Sequence, residues 1–251
     1  MGKLKYIVTG TGRCGTVYFA KFLTSLGINC GHETIFSYHG LERALERLEQ
    51  PDPLKVSLIS ELSTWQDEIW FPNGIVNIQA DSSYMAAPFL SHPAFDGAKV
   101  IHVFRHPLEV INSFIYGLGY FKRDCVKNED MKDYHKFIYK HAPMILNYAN
   151  PIDRAAVYYV EWNKLIEKNS LGKDYYRHNI SRNLGRVFDF LNMKEPNSYY
   201  DNKKSNNILG LNPIITSFKD IPSQQARESL IEFYNRYFYI KLLGTNNESY
   251  C

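Results

Sequence analysis

Residues 5–27 read KYIVTGTGRCGTVYFAKFLTSLG, and the fold is decided there. Leu4–Thr9 has the short apolar run of a buried strand. Val17–Leu26 has the pattern of a helix, because Phe19, Phe22, Leu23 and Leu26 recur at i, i+3, i+4 and i+7. The glycine-rich turn between them joins a strand end to a helix start. There, backbone N–H groups without intrahelical partners and the helix dipole together favour an anion. The turn fits more than one phosphate-binding template. Gly10, Gly12 and Gly15 satisfy GxGxxG, with Glu33 about twenty residues on, where a ribose-binding carboxylate belongs. The same residues satisfy the glycine spacing of a nucleoside-triphosphate loop, but Thr16-Val17 stands where that loop needs Lys-Ser/Thr.

Outward from this turn, candidate strands lie at Ile28–Gly31, Ile75–Gln79, Val100–Phe104 and Ala155–Val160. Helical patterns lie at Leu41–Leu48, Leu108–Leu118, Tyr134–Tyr148, Ile180–Leu191 and Ser223–Leu243. Strands alternating with helices predict an α/β fold with a mostly parallel central sheet flanked by helices. With no repeat or low-complexity linker, we expect a single domain over 1–251, with a core at 4–195 and a C-terminal helical extension at 196–251. In such sheets ligands bind beyond the carboxyl ends of the strands, where Gly10–Gly15 and Arg105 both fall.

Bulk composition narrows the function. A net charge of +3 over 251 residues does not suggest a nucleic-acid binder, although it allows a local basic pocket for an anion. The four cysteines, Cys14, Cys30, Cys125 and Cys251, are scattered and contain no CxxC pair, so a zinc site and a disulfide framework are both disfavoured. No apolar run approaches the ~20 residues of a membrane span. The expectation is a cytoplasmic protein with no integral membrane segment; oligomeric state leaves no trace in the sequence.

A second stretch, residues 99–117, reads KVIHVFRHPLEVINSFIYG. An apolar strand ends at Arg105, and Pro107 stands where it opens a helix. Leu108, Ile111, Ile115 and Leu118 form the apolar stripe of that helix. At about 100° per residue, Ser113 lies nearly opposite the stripe, alongside Glu109 and Tyr116. Arg105 and Ser113 could therefore share one anion along the helix flank.

Together the two stretches resemble the sulfotransferase family. Its first signature is strand, Gly-x-x-basic-small-Gly-Thr, helix, here Gly10-Thr-Gly12-Arg13-Cys14-Gly15-Thr16. Its second is a strand ending in Arg with a Ser eight positions later, here Arg105 and Ser113. A softer likeness runs through AAVYYVEWNKLIEKN, taken as a strand and turn, to LGRVFDFLNM. The resemblance implies an α/β fold of the P-loop nucleotide-binding type and 3′-phosphoadenylyl sulfate (PAPS) as donor. Gly12, Arg13, Cys14, Gly15, Thr16 and Val17 would hold its 5′-phosphosulfate, and Arg105 and Ser113 its 3′-phosphate. It implies catalysis by Arg13 and by a general base, Glu33 with His32 as second candidate, on a small-molecule or carbohydrate acceptor. No metal is required, because transferred SO₃ bears less charge than a phosphoryl group. The chain departs from the family pattern at three positions: Cys14 for serine, Arg13 for the lysine of the cytosolic branch, and His106 for aspartate. Lys203, Lys204 and Lys219 are candidate replacements for that branch's C-terminal basic segment. The competing readings are a nicotinamide- or flavin-dependent oxidoreductase, a kinase-like nucleotide binder and a non-catalytic nucleotide-binding module.

Overall fold

The structure is a computed structural model that describes residues 3–49, 78–117, 119–121, 133–200 and 214–239. It divides into two compact units, residues 1–104 with 165–206 and residues 105–164 with 207–251.

The first unit holds a five-stranded sheet built from β1 (Tyr6–Thr9), β2 (Cys30–His32), β3 (Ala80–Ser82), β4 (Lys99–Phe104) and β5 (Tyr175–Asn179), ordered β2-β3-β1-β4-β5. Every pairing is parallel: Tyr6 lies opposite both Ala80 and Lys99, Cys30 opposite Ala80, and Val100 opposite Tyr175. The α/β, parallel-sheet expectation is met. Central strands β1 and β4 are nearly continuous apolar runs because a parallel sheet is covered on both faces. Helix α1 (Thr16–Ser25) follows β1 and buries Phe19, Phe22 and Leu23 in a core with Val8, Ile101 and Val103. Helix α2 (Leu41–Glu49) follows β2.

Two strand expectations change. The Ile75–Gln79 strand lies partly outside the described residues, and the observed strand begins at Ala80. Ala155–Val160 is no strand; it lies inside a helix, Pro151–Asn169. Ala155, Ala156, Val157, Tyr158, Tyr159 and Val160 are all buried, so this stretch of the helix shows no polar face and its period is hidden there. A start signal was nevertheless present: the Asn150 side chain accepts from the Ile152 amide at 2.8 Å, Pro151 opens the helix and Asp153 follows in its first turn. The sheet's remaining strand is β5, and the helix read at Ile180–Leu191 begins only at Gly185.

In the second unit, Arg105 and His106 lead into α3 (Pro107–Asn112), which widens into a π turn at Ser113–Gly117. Then come α4 (Asp133–His141), a 3₁₀ turn at Pro143–Asn147, and α5 (Pro151–Asn169), whose last turns belong to the first unit. The predicted Tyr134–Tyr148 helix is thus broken before Pro143. Helix α6 (Gly185–Leu191) returns to the first unit, where Phe188 meets Phe22 edge-on at 5.6 Å. In the second unit, α7 (Gln224–Tyr234) accounts for the first half of the Ser223–Leu243 expectation; a π turn continues it to Tyr239, and the rest lies outside the described residues.

Candidate active site

The turn after β1 is shaped by what its glycines lack. A Cβ on Gly10 would lie 2.2 Å from the Val103 carbonyl oxygen, and one on Gly15 would lie 1.9 Å from Ile180 Cδ1. Gly15 also takes a left-handed φ of 109° and supplies no side chain to cap α1. Cys14 is fully buried in the core, so the position where the family carries serine serves packing here, and any part it takes in anion binding falls to its backbone. Thr16 opens α1, and its carbonyl accepts from the Ser82 hydroxyl at 2.7 Å, which fixes the helix start to β3. Val17 is the exposed residue of this first turn, at 42%.

The two predicted catalytic residues share an unusual backbone. Among the described residues four non-glycine positions have positive φ, and Arg13 (69°) and Glu33 (56°) are two of them. Left-handed backbone costs a residue with a Cβ free energy, and such strain gathers at functional sites. Both side chains are half-buried.

The end of β2 carries the predicted base region. His32 Nε2 lies 3.3 Å from Thr16 Oγ1, which brings the turn after β1 and the base region into direct contact. The Glu33 amide donates to the Ser82 carbonyl. Asp81, absent from the sequence reading, lies beneath this segment. It is fully buried, and its carboxylate accepts from the Thr34 and Phe36 amides, each at 3.0 Å. Desolvation pushes its carboxyl up to about 6, against the lowering effect of those amides and of nearby His32. No sequence signal marks it, because its partners are backbone amides distant along the chain.

In the second unit, Arg105 follows β4 directly, and its carbonyl accepts from the Tyr159 hydroxyl at 2.7 Å. Its guanidinium pairs with Glu109 one helical turn on, and Ser113 follows at the same interval along α3. The departure at His106 has a local explanation. His106 is the N-cap of α3, its Nδ1 accepting from the Leu108 amide at 3.3 Å as an aspartate would. Burial pulls its pKa down, against Glu109, and favours the neutral ring that an acceptor must be. The segment after residue 213 is tied to the same helix. Asn112 donates to the Ile215 carbonyl and accepts from the Ile214 and Ile215 amides, and Phe218 stacks near His106. Of the candidate lysines, Lys219 lies in this segment; Lys203 and Lys204 lie outside the described residues.

Among solved structures, the chain is similar to the sulfotransferase domain from the curacin biosynthetic pathway, at a TM-score of 0.52 and 13% identity, over 94% of this chain and 98% of that one. The fold is a sulfotransferase fold. A sulfotransferase from Alicyclobacillus acidocaldarius aligns at a TM-score of 0.45 and 14% identity, over 94% and 93% of the two chains. The sulfotransferase domain of the Synechococcus PCC 7002 olefin synthase aligns at 0.44 and 16%, over 93% and 94%. No protein-family model matches the chain, and no curated protein does. Within the sulfotransferase fold, the turn after β1 and the ends of β2 and β3 form one connected group through Thr16, His32, Ser82 and Asp81. Among the described residues no helix is long and apolar enough to cross a membrane.

Proposed function

We propose that the protein transfers a sulfuryl group from PAPS to an acceptor hydroxyl. The observation that carries this reading is the 3.3 Å contact between Thr16, at the anion-binding turn, and His32, beside the candidate base Glu33. A transferase needs its donor cradle and its acceptor base at one place, and a simple phosphate-binding turn needs no base.

The residues of the turn suit an anionic donor. The amides at the start of α1, which no side chain caps, and the Arg13 guanidinium supply donors and positive charge for the phosphosulfate. Arg105 and Ser113 supply a cation and a hydroxyl for a 3′-phosphate. PAPS brings the labile S–O bond, and charge grows on the phosphate side as that bond breaks. Arg13 and the amides of Gly15 to Val17 at the start of α1 stabilise this charge, more in the transition state than before it. Glu33 takes the acceptor's proton, with His32 as the alternative base. The acceptor is a small molecule or a saccharide hydroxyl.

Transfer of labelled sulfate from PAPS to a panel of monosaccharides, phenols and alkyl alcohols tests the proposal. Labelled product in at least one class is expected. Stabilisation by NAD(P) alone, with no response to 3′,5′-adenosine bisphosphate, would replace it with the oxidoreductase reading.

A further inference from the structure

We propose that Asp81 is the positioning residue of this site, holding the segment that carries His32 and Glu33 in its reactive shape. The inference rests on the sulfuryl-transfer reading and adds to it a residue outside the set assigned to donor and acceptor.

Three observations converge on Asp81. First, its two carboxylate oxygens take different amides, Oδ1 that of Thr34 and Oδ2 that of Phe36, so one side chain clamps both sides of Ile35. A bidentate anchor of this kind fixes the path of the chain immediately after Glu33. Second, Glu33 is left-handed, at φ 56°, a conformation that persists only when its surroundings impose it. The clamp on one side and the Glu33 N–H bond to Ser82 on the other are such an imposition. Third, the sheet is shaped to admit the carboxylate: Gly31 lies opposite Asp81 in the β2–β3 register, and a Cβ there would lie 2.8 Å from Asp81 Oδ1 and 2.5 Å from Thr34 Oγ1.

A fully buried carboxylate is costly to keep for packing alone, and an apolar residue would fill the same space at lower cost. Of the titratable side chains, Cys30 and His32, both from β2, interact with Asp81. The Cys30 thiol is pushed well up, first by its own burial and then by Asp81, so it stays neutral. On the β1 side the register partner is Ile7, and the 33–36 segment contributes backbone amides. Asp81 therefore acts on the reaction by positioning Glu33 through its backbone.

The test combines spectroscopy and kinetics. In the wild-type protein the Thr34 and Phe36 amide proton shifts should titrate together between pH 4.5 and 7.5, and Asp81→Asn should abolish that titration. Asn cannot accept from both amides, since its Nδ2 meets one donor with another. With PAPS and a working acceptor, Asp81→Asn should lower kcat at least 10-fold and leave KM for PAPS within about 2-fold. The double variant Asp81→Asn/Glu33→Gln should be no more than about 2-fold slower than Glu33→Gln alone, because a residue that acts through another adds nothing once that other is gone. Flat wild-type shifts overturn the proposal without any variant, should Asp81→Asn fail to fold. A titration that survives in Asp81→Asn belongs to His32 and also overturns it, as do an unchanged kcat and multiplicative losses in the double variant. If the wild-type protein transfers no sulfuryl group, the functional reading fails, while the amide titration still decides whether Asp81 is the clamp.

Discussion

In the turn after β1, shape comes from backbone: Gly10 and Gly15 leave no room for a Cβ, and Arg13 is held left-handed. On α3 the same kind of ligand would be met by side chains, and the arginine there is already paired with Glu109. The first arrangement is built before any ligand arrives, so binding costs it little rearrangement. To bind a phosphate as proposed, the second would have to exchange a carboxylate for it. Glu109 is about half exposed, at 48%, and Arg105 much less so, at 17%, so the exchange releases the more solvated partner. If both proposed sites take an anion, the first would owe its shape to folding free energy and the second would depend on a competition between two anions for one guanidinium.

The largest effect should come from breaking the backbone-built half. Gly10→Ala should destabilise the protein by more than ~4 kcal/mol in urea unfolding, because the new methyl meets a backbone carbonyl that cannot swing away. Next, Glu33→Gln should lower turnover by roughly 10²–10⁴-fold, the usual range for loss of a general base, while 3′,5′-adenosine bisphosphate binding stays near wild type. Equal turnover in the variant would remove Glu33 from the mechanism.

Asp81 gives the third effect and carries a sign. Its carboxyl is raised from 3.8 to about 6 in the folded chain, so its contribution to stability is full below pH 3.8 and is lost as pH rises through about 6. Asp81→Asn lacks this loss. Unfolding at pH 4.5 and at 7.5 should therefore show the variant gaining on wild type at the higher pH, by about 2 kcal/mol. A difference that does not change with pH would contradict this.

The side-chain half should respond less. Arg105→Ala should weaken bisphosphate binding about 10–100-fold by calorimetry, the loss expected for hydrogen bonds to a charged group. The smallest effect should be Glu109→Gln, which removes the competitor and should tighten binding by up to about 5-fold, since a partly exposed pair is worth ~1 kcal/mol or less. Weaker binding in Glu109→Gln would mean that the carboxylate orients Arg105 for the phosphate instead of competing with it.

How much of this was legible in the sequence follows the same division. The turn could be read because glycine announces backbone demands, and β1 and β4 could be read because strands covered on both faces are apolar throughout. Strand β5, Tyr175–Asn179, is half-exposed at the sheet edge and carries Arg177 and Asn179, so it shows no apolar run. Helix α5 failed for the opposite reason, being buried on every side along Ala155–Val160. Glu33 could be singled out in the sequence as a carboxylate after the first helix, but its left-handed backbone could not, since nothing about glutamate favours that conformation. Asp81 was invisible because its partners are backbone amides 47 and 45 residues away in sequence, and amides leave no mark in composition.

The most direct test of the proposal that the donor nucleotide is recognised through its 3′-phosphate needs no acceptor. Calorimetry without added metal should compare 3′,5′-adenosine bisphosphate with 5′-AMP on the wild-type protein and on Arg105→Ala. The account predicts that the bisphosphate binds at least 10-fold tighter to wild type and that Arg105→Ala erases most of the difference. Equal affinity for the two nucleotides on the wild-type protein would contradict it.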